Sequence, residues 1–237
     1  MIIYIMKISV VTLFPEVFTD ILSHSIIKRA QEKGLVEFNL VDHRQFGIGP
    51  HKIVDDKPYG GGAGMVFRPD VLEEAISSAR IGIPGEKVIL LCPQGAVYSQ
   101  KIAEELSTLS HIILVCGHYE GFDERTRELV DMELSIGDFV LTGGEIPAMA
   151  IIDSVTRLLP GVLKDPTATV NESHSEINGK RILEGPQYTR PEVFRDMKVP
   201  DVFLSGDPKK IEAFKSEKAL KKTLIRRPDL DSPKELA

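Results

Sequence analysis

The chain has 237 residues, 42% hydrophobic and 27% charged, with a formal net charge of -6, the composition of an ordinary globular protein with room for one large domain and a small one. The acidic balance argues against a protein that coats nucleic acid unselectively. The apolar opening MIIYIM is short, has no basic segment before it and runs straight into KISVVTLF, so neither a signal peptide nor a membrane span is expected and the protein reads as cytoplasmic.

In chain order, short apolar runs alternate with helical patterns from Ile5 to about Leu159, the signature of an α/β fold with a mostly parallel sheet. Strands are expected over Lys7–Leu13, Val36–Val41, Val88–Cys92 and Ile112–Cys116, with shorter extended pieces at Met132–Ile136 and Phe139–Leu141. Pro15 suits a first helical turn and opens an amphipathic run to Lys33, which Gly34 ends; Ser99–Leu109 and Pro147–Leu159 follow the same logic. Cys92 and Cys116 each close an apolar run, where a small buried thiol is expected rather than a disulfide, a zinc ligand or a nucleophile. From Pro160 to about Pro186 periodicity gives way to a Pro, Gly, Ser and Thr-rich linker. Beyond it a helix over about Asp207–Ile225 belongs to a small helical domain. Lys209–Arg227 carries +6 while the remainder carries -12, a basic segment on an acidic body. Clustered cations of this kind suit phosphate contact, because each releases a counterion, or else form a solvated helix face.

Three glycine turns each follow an expected strand or loop: Pro93–Gly95, Cys116–Gly121 and Ser135–Pro147. In parallel sheets ligands gather at the carboxyl ends of strands, so three such turns point to one shared pocket. Tyr59–Met65, YGGGAGM, lacks the Lys-Ser/Thr pair of a P-loop. TLFPE stands where a Rossmann site would carry GxGxxG. His43 and His51 with Asp42, Asp55 and Asp56 have no compact metal-ligand spacing. Glu120, Tyr119, Glu145, Arg157 and Glu172 are the polar residues available for chemistry, and the residues alone stop at a ligand-binding α/β enzyme with a basic appendage.

The ordered set YGGGAGM, PQG, CGHYEGFDER, SIGDFVLTGGEIPAM and PQYTRP strongly resembles the bacterial tRNA (guanine-37-N1)-methyltransferases of the SPOUT class, and the likeness runs from VVTLFPEVF to RRPDL. The resemblance implies a knotted domain over residues 1–160 with a trefoil knot in its C-terminal half. It further implies a flexible linker over 161–187, a helical tRNA-binding domain over 188–237, and a homodimer whose active site is shared between subunits. It places S-adenosylmethionine against Leu90, Leu91, Pro93, Gly117, Tyr119, Glu120, Ser135, Ile136, Gly137, Phe139, Leu141, Gly143, Gly144 and Pro147. Because N1 of guanine carries a hydrogen, a base is needed; Glu172 matches the family's catalytic aspartate, and Arg157 the arginine that steadies charge on guanine O6. Glu172 is one methylene longer than the usual aspartate and the linker is longer than the family's, which leaves Glu176 as the alternative base. His118 stands where many members carry arginine, and no catalytic role is assigned to it. Arg190, Arg195, Lys215, Lys218 and Lys222 would contact the anticodon stem-loop, whose target base turns out of its stack. Magnesium enters from the family alone, without a visible ligand set. A related enzyme acting on another RNA atom would share the cofactor loops without needing the linker carboxylate, and a silent RNA-binding module would bind stem-loops without turnover.

Overall fold

The structure is a computed structural model that describes residues 5–165, 167–177 and 179–230. Most of the apolar opening, two linker positions and the end of the expected C-terminal domain therefore lie outside the described residues. The chain divides into two units, Met1–Lys164 and Asp165–Ala237.

The first unit is built on a five-stranded sheet. Its strands are β1 (Met6–Thr12), β2 (Val36–Asp42), β5 (Glu86–Val97), β6 (His111–Cys116) and β7 (Met132–Ser135), with β3 (Asp55–Asp56) and β4 (Val66–Phe67) forming a separate pair. The sheet order is β2-β1-β6-β5-β7 and every pairing within it is parallel. Covered on both faces, the inner strands β1, β5 and β6 carry apolar runs whose alternate residues serve opposite layers. On one face Ile8, Val10, Ile89, Leu91, Ile112 and Leu114 join Ile151, Ile152 and Val155. On the other, Val11, Val88, Leu90, Ile113 and Val115 pack on Leu72, Ala75, Ile76 and Ala79.

The helices that supply those layers are α1 (Thr19–Leu22), α2 (Ser25–Glu32), α3 (Pro69–Ala79), α4 (Gln100–Ser107) and α5 (Glu145–Thr156). Pro69 opens α3, where its missing N–H costs nothing. Its buried Val71, Leu72, Ala75, Ile76 and Ala79 recur at helical spacing.

Three expectations need correction. The run from Pro15 to Lys33 is not one helix. A 3-10 turn at Pro15–Phe18 leads into α1, and the chain breaks before α2. There Ser23 Oγ and His24 Nδ1 both donate to the carbonyl of Asp20 at 3.1 and 2.7 Å, so side chains compete with helical continuation. Phe139–Leu141 is not a strand but open loop, with Phe139 N donating back to Gly137 O at 2.9 Å and Val140 81% exposed. Strand β5 runs beyond Cys92 because its register shifts between Leu91 and Ala96, both of which pair with Leu134.

In the second unit the linker region contains a small hairpin, β8 (Ser175–Ile177) with β9 (Lys180–Ile182). A second hairpin follows, β10 (Val193–Phe194) with β11 (Met197–Lys198). Helices α6 (Asp201–Leu204) and α7 (Pro208–Arg226) complete it. Asp207 caps α7 by accepting from Lys209 N and Lys210 N at 3.1 and 3.3 Å. The helix buries Ala219 and Thr223, whose Oγ1 accepts from Leu183 N at 2.9 Å.

Candidate functional site

A cavity of about 250 Å3 opens at the carboxyl ends of β5, β6 and β7, the position where parallel sheets bind ligands. Leu91 comes from β5 just before the first glycine turn and Pro93 from that turn, Gly117, Tyr119 and Glu120 from the second, and Ser135, Ile136, Phe139, Leu141, Gly143, Gly144 and Pro147 from the third. The structure thus gathers twelve of the fourteen expected cofactor residues in one wall. Leu90 is different, because it is 1% exposed and packs into the layer beneath the other sheet face. Gly137 is absent from the lining; a side chain there would meet the Phe139 ring at 2.6 Å.

Close backbone approach explains why glycine is needed here. A Cβ on Gly144 would lie 2.6 Å from Cys116 Cα, and its N–H donates to Gly117 O at 2.9 Å. A Cβ on Gly117 would meet the Phe122 ring at 2.7 Å. The second and third turns therefore pack backbone to backbone.

Beneath the turns lies a polar chain that sequence reading did not assemble. Glu145, the first residue of α5, is buried; its Oε1 accepts from Thr12 Oγ1 at 2.7 Å and its Oε2 meets His118 Nε2 at 2.8 Å. The acidic group suits a helix N-terminus, where the helix dipole favours negative charge. His118 lines the cavity, and its ring lies edge-on to Phe14 with centroids 5.0 Å apart. Cys92, Phe122, Leu134 and Thr142 also line the cavity. Thr142 lies inside the third turn, while Cys92, Phe122 and Leu134 each sit one residue outside a turn, and that adjacency was the signal for them. Cys116 is buried as expected, and burial, with the Glu145 carboxylate beside it, pushes its thiol well above the ordinary value. Cys92 is half-buried instead, with its thiol donating to Glu133 Oε2 at 3.3 Å.

Arg157 occupies the C-cap of α5 and is half-buried. Glu172 belongs to the second unit, where it lines a small cavity of about 100 Å3 and its carbonyl accepts from Ser175 N and Oγ at 3.1 and 2.7 Å. Glu176 is exposed on β8. Of the cations expected at RNA, Arg190 and Arg195 are exposed, with Arg195 5.3 Å above the Phe194 ring. Lys215 reaches Gln187 Oε1 at 3.3 Å, Lys218 sits 5.1 Å over the Phe214 ring, and Lys222 is engaged by Glu184 O at 2.8 Å. No three His, Cys, Asp or Glu side chains converge as a metal site among the described residues. No helix among them is long and apolar enough to cross a membrane.

The family profile described as tRNA (Guanine-1)-methyltransferase TrmD matches residues 6–232. The chain is 53% identical over 226 residues to the tRNA (guanine-N(1)-)-methyltransferase of Geobacillus kaustophilus, covering 95% of this chain and 91% of that one. It is 55% identical over 227 residues to the protein of the same name from Anoxybacillus flavithermus, with the same coverage. With the relative of that name from Prochlorococcus marinus it shares 53% identity over 224 residues, 94% of this chain and 89% of the other. Sequence likeness over nearly the whole chain, joined to a cavity made by the same three turns that carried the resemblance, places this chain in the tRNA (guanine-1)-methyltransferase family.

Proposed function

We propose that the protein transfers a methyl group from S-adenosylmethionine to N1 of guanosine 37 of tRNA, 3′ of the anticodon. The observation that carries this reading is the cavity whose walls are three glycine turns meeting at the carboxyl edge of a parallel sheet. Main-chain N–H and C=O groups there suit the hydrogen-bonding edge of an adenine, and the apolar walls from Leu91, Ile136 and Leu141 suit its faces. When bound, S-adenosylmethionine supplies an electrophilic methyl group on a sulfonium.

The chain's own residues do the rest. Glu172 takes the N1 proton, freeing the lone pair for attack, and Arg157 balances the negative charge that builds on guanine O6. Holding donor and acceptor in line supplies much of the acceleration. Arg190, Arg195, Lys215, Lys218 and Lys222 hold backbone phosphate. A second copy of the chain completes the site, with the cofactor turns of one subunit serving the linker of its partner. The exposed Phe139, Val140 and Ile146, at 53%, 81% and 57%, support this by presenting an apolar rim beside the cofactor turns. The trefoil knot rests on the family resemblance. A tRNA substrate suits a cytoplasmic enzyme. No step is assigned to magnesium, for which the described residues offer no converging carboxylates.

The test is methyl transfer from labelled S-adenosylmethionine to two tRNA transcripts that differ only in guanosine or adenosine immediately 3′ of the anticodon. Label in the guanosine transcript alone, recovered as 1-methylguanosine, is the expected result. Label in both transcripts, or recovery as a ribose-methylated nucleoside, would overturn the reading.

A further inference from the structure

Helix α7 carries Phe214, Lys218, Lys221, Lys222 and Ile225 at spacings that place them on one face. Beside that face runs the segment 183–188, held against the helix at three points. Leu183 N donates to Thr223 Oγ1, Lys222 Nζ donates to Glu184 O, and Gly185 lies so close that a Cβ there would come within 2.7 Å of Lys215 O. Between the segment and the helix is an open groove of about 390 Å3, lined by Pro186, Tyr188, Phe214 and Ile225 and rimmed by Lys218, Lys221, Lys222 and Arg226. Among the described residues no carboxylate lines it. Lys221 and Arg226 are exposed and form no ion pair among the described residues. Tyr188 is 48% exposed, and its ring is braced by that of Phe203 at a centroid distance of 4.9 Å.

We infer that this groove seats one unpaired nucleotide of the RNA substrate, its base stacked on Tyr188 and its flanking phosphates held by Lys221 and Arg226. The inference rests on the tRNA reading above and deepens it, since phosphate contact alone requires no aromatic floor. A braced, half-exposed ring offers a face on which any base can stack, and the exposed Lys221 and Arg226, which form no ion pair among the described residues, attract a polyanion, whereas Lys218 already meets Glu217 at 3.6 Å. An acidic peptide would meet the same cations but would leave the Tyr188 face without a planar partner.

The experiment uses the full-length protein and two fluorescent probes, a short oligouridylate and a blunt, fully paired RNA duplex of the same phosphate count. Tyr188→Leu should weaken oligouridylate binding about ten-fold while leaving duplex binding unchanged, and Tyr188→Phe should restore it. Lys221→Ala with Arg226→Ala should weaken both probes and reduce the salt slope for the single strand by about 1.4. Ile225→Asp, at a position 70% exposed, gives an independent test by placing a carboxylate in the groove, and it should repel the single strand more than ten-fold. Equal losses for both probes in Tyr188→Leu, or no loss in Ile225→Asp, would overturn the base seat. Methyl transfer by the wild-type protein to a tRNA transcript, measured in parallel, separates the two claims: its failure removes the tRNA reading, whereas the probe preferences bear on the groove itself.

Discussion

Strand β1 anchors two chains of hydroxyl, histidine and carboxylate, one in the body of the sheet and one at its carboxyl end. In the first, Ser9 Oγ meets His111 Nε2 at 2.9 Å, and His111 Nδ1 meets Glu86 Oε2 at 2.9 Å. The connectivity is that of a serine nucleophile, its base and an orienting acid. Yet Ser9 and His111 are 2% and 1% exposed, so no substrate reaches the hydroxyl. In the second, Thr12 and His118 converge on Glu145, and the imidazole lines the cavity at the carboxyl ends of β5, β6 and β7. The same three kinds of group brace the sheet in one place and shape a binding wall in the other. Two things separate them: the histidine is the middle member of the first chain and the carboxylate of the second, and only the second opens on a cavity.

Neither chain holds the proposed base, and the largest effect tests that. Glu172→Gln should lower methyl transfer by about 10²- to 10⁴-fold with S-adenosylmethionine binding intact, measured by single-turnover labelling beside calorimetry. If Glu172→Gln keeps its rate and Glu176→Gln loses it, the base lies on β8.

A third buried imidazole sharpens the contrast. His43 is 1% exposed, and its Nε2 has no hydrogen-bond partner among the described residues. Burial, opposed by Asp42 and aided by Arg44, lowers its pKa from 6.5 to about 4. The unfolded chain is protonated below 6.5 and the folded protein only near 4. Stability is therefore full above 6.5 and falls as pH drops through that window, by about 3 kcal/mol. Denaturant titrations of wild type and His43→Leu across this range check it; equal pH slopes would contradict the assignment.

The two trios should then part under matched substitutions. Glu86 is buried, which alone would raise its carboxyl, but the Ile81 and Gly82 N–H groups and His111 hold it below the usual range. Glu86→Gln should cost about 2 kcal/mol of stability while the folded fraction keeps its turnover. Glu145→Gln should instead raise the KM for S-adenosylmethionine about ten-fold, with Glu145→Asp in between. Smallest of all, Cys92→Ser with Cys116→Ala should leave turnover within about two-fold, since Cys116 is held as a thiol by burial.

The centre of the sheet was legible because β5 and β6 are buried on both faces, so VILLC and IILVC announce themselves without knowledge of their neighbours. The glycine turns were legible as punctuation after those runs. The Glu145–Thr12 contact was not, since its partners lie 133 positions apart and nothing local predicts the pairing. Hairpin β8–β9 was hidden for a different reason. Its Asn178-Gly179 dipeptide, a strong turn signal between strands, stands in a stretch whose overall composition reads as linker, and Gly179 takes a φ of +77°. Leu90 is not in the cavity lining, since the period of two along β5 sends its side chain to the opposite face of the sheet.

Hydrogen exchange with and without S-adenosylmethionine tests most directly the claim that the three turns are the cofactor site. The account predicts slowed exchange in peptides covering 91–95, 117–121 and 134–144, with no protection around the Ser9–His111–Glu86 chain. Unchanged exchange in all three turns at saturating S-adenosylmethionine, or protection confined to residues 165–230, would contradict it.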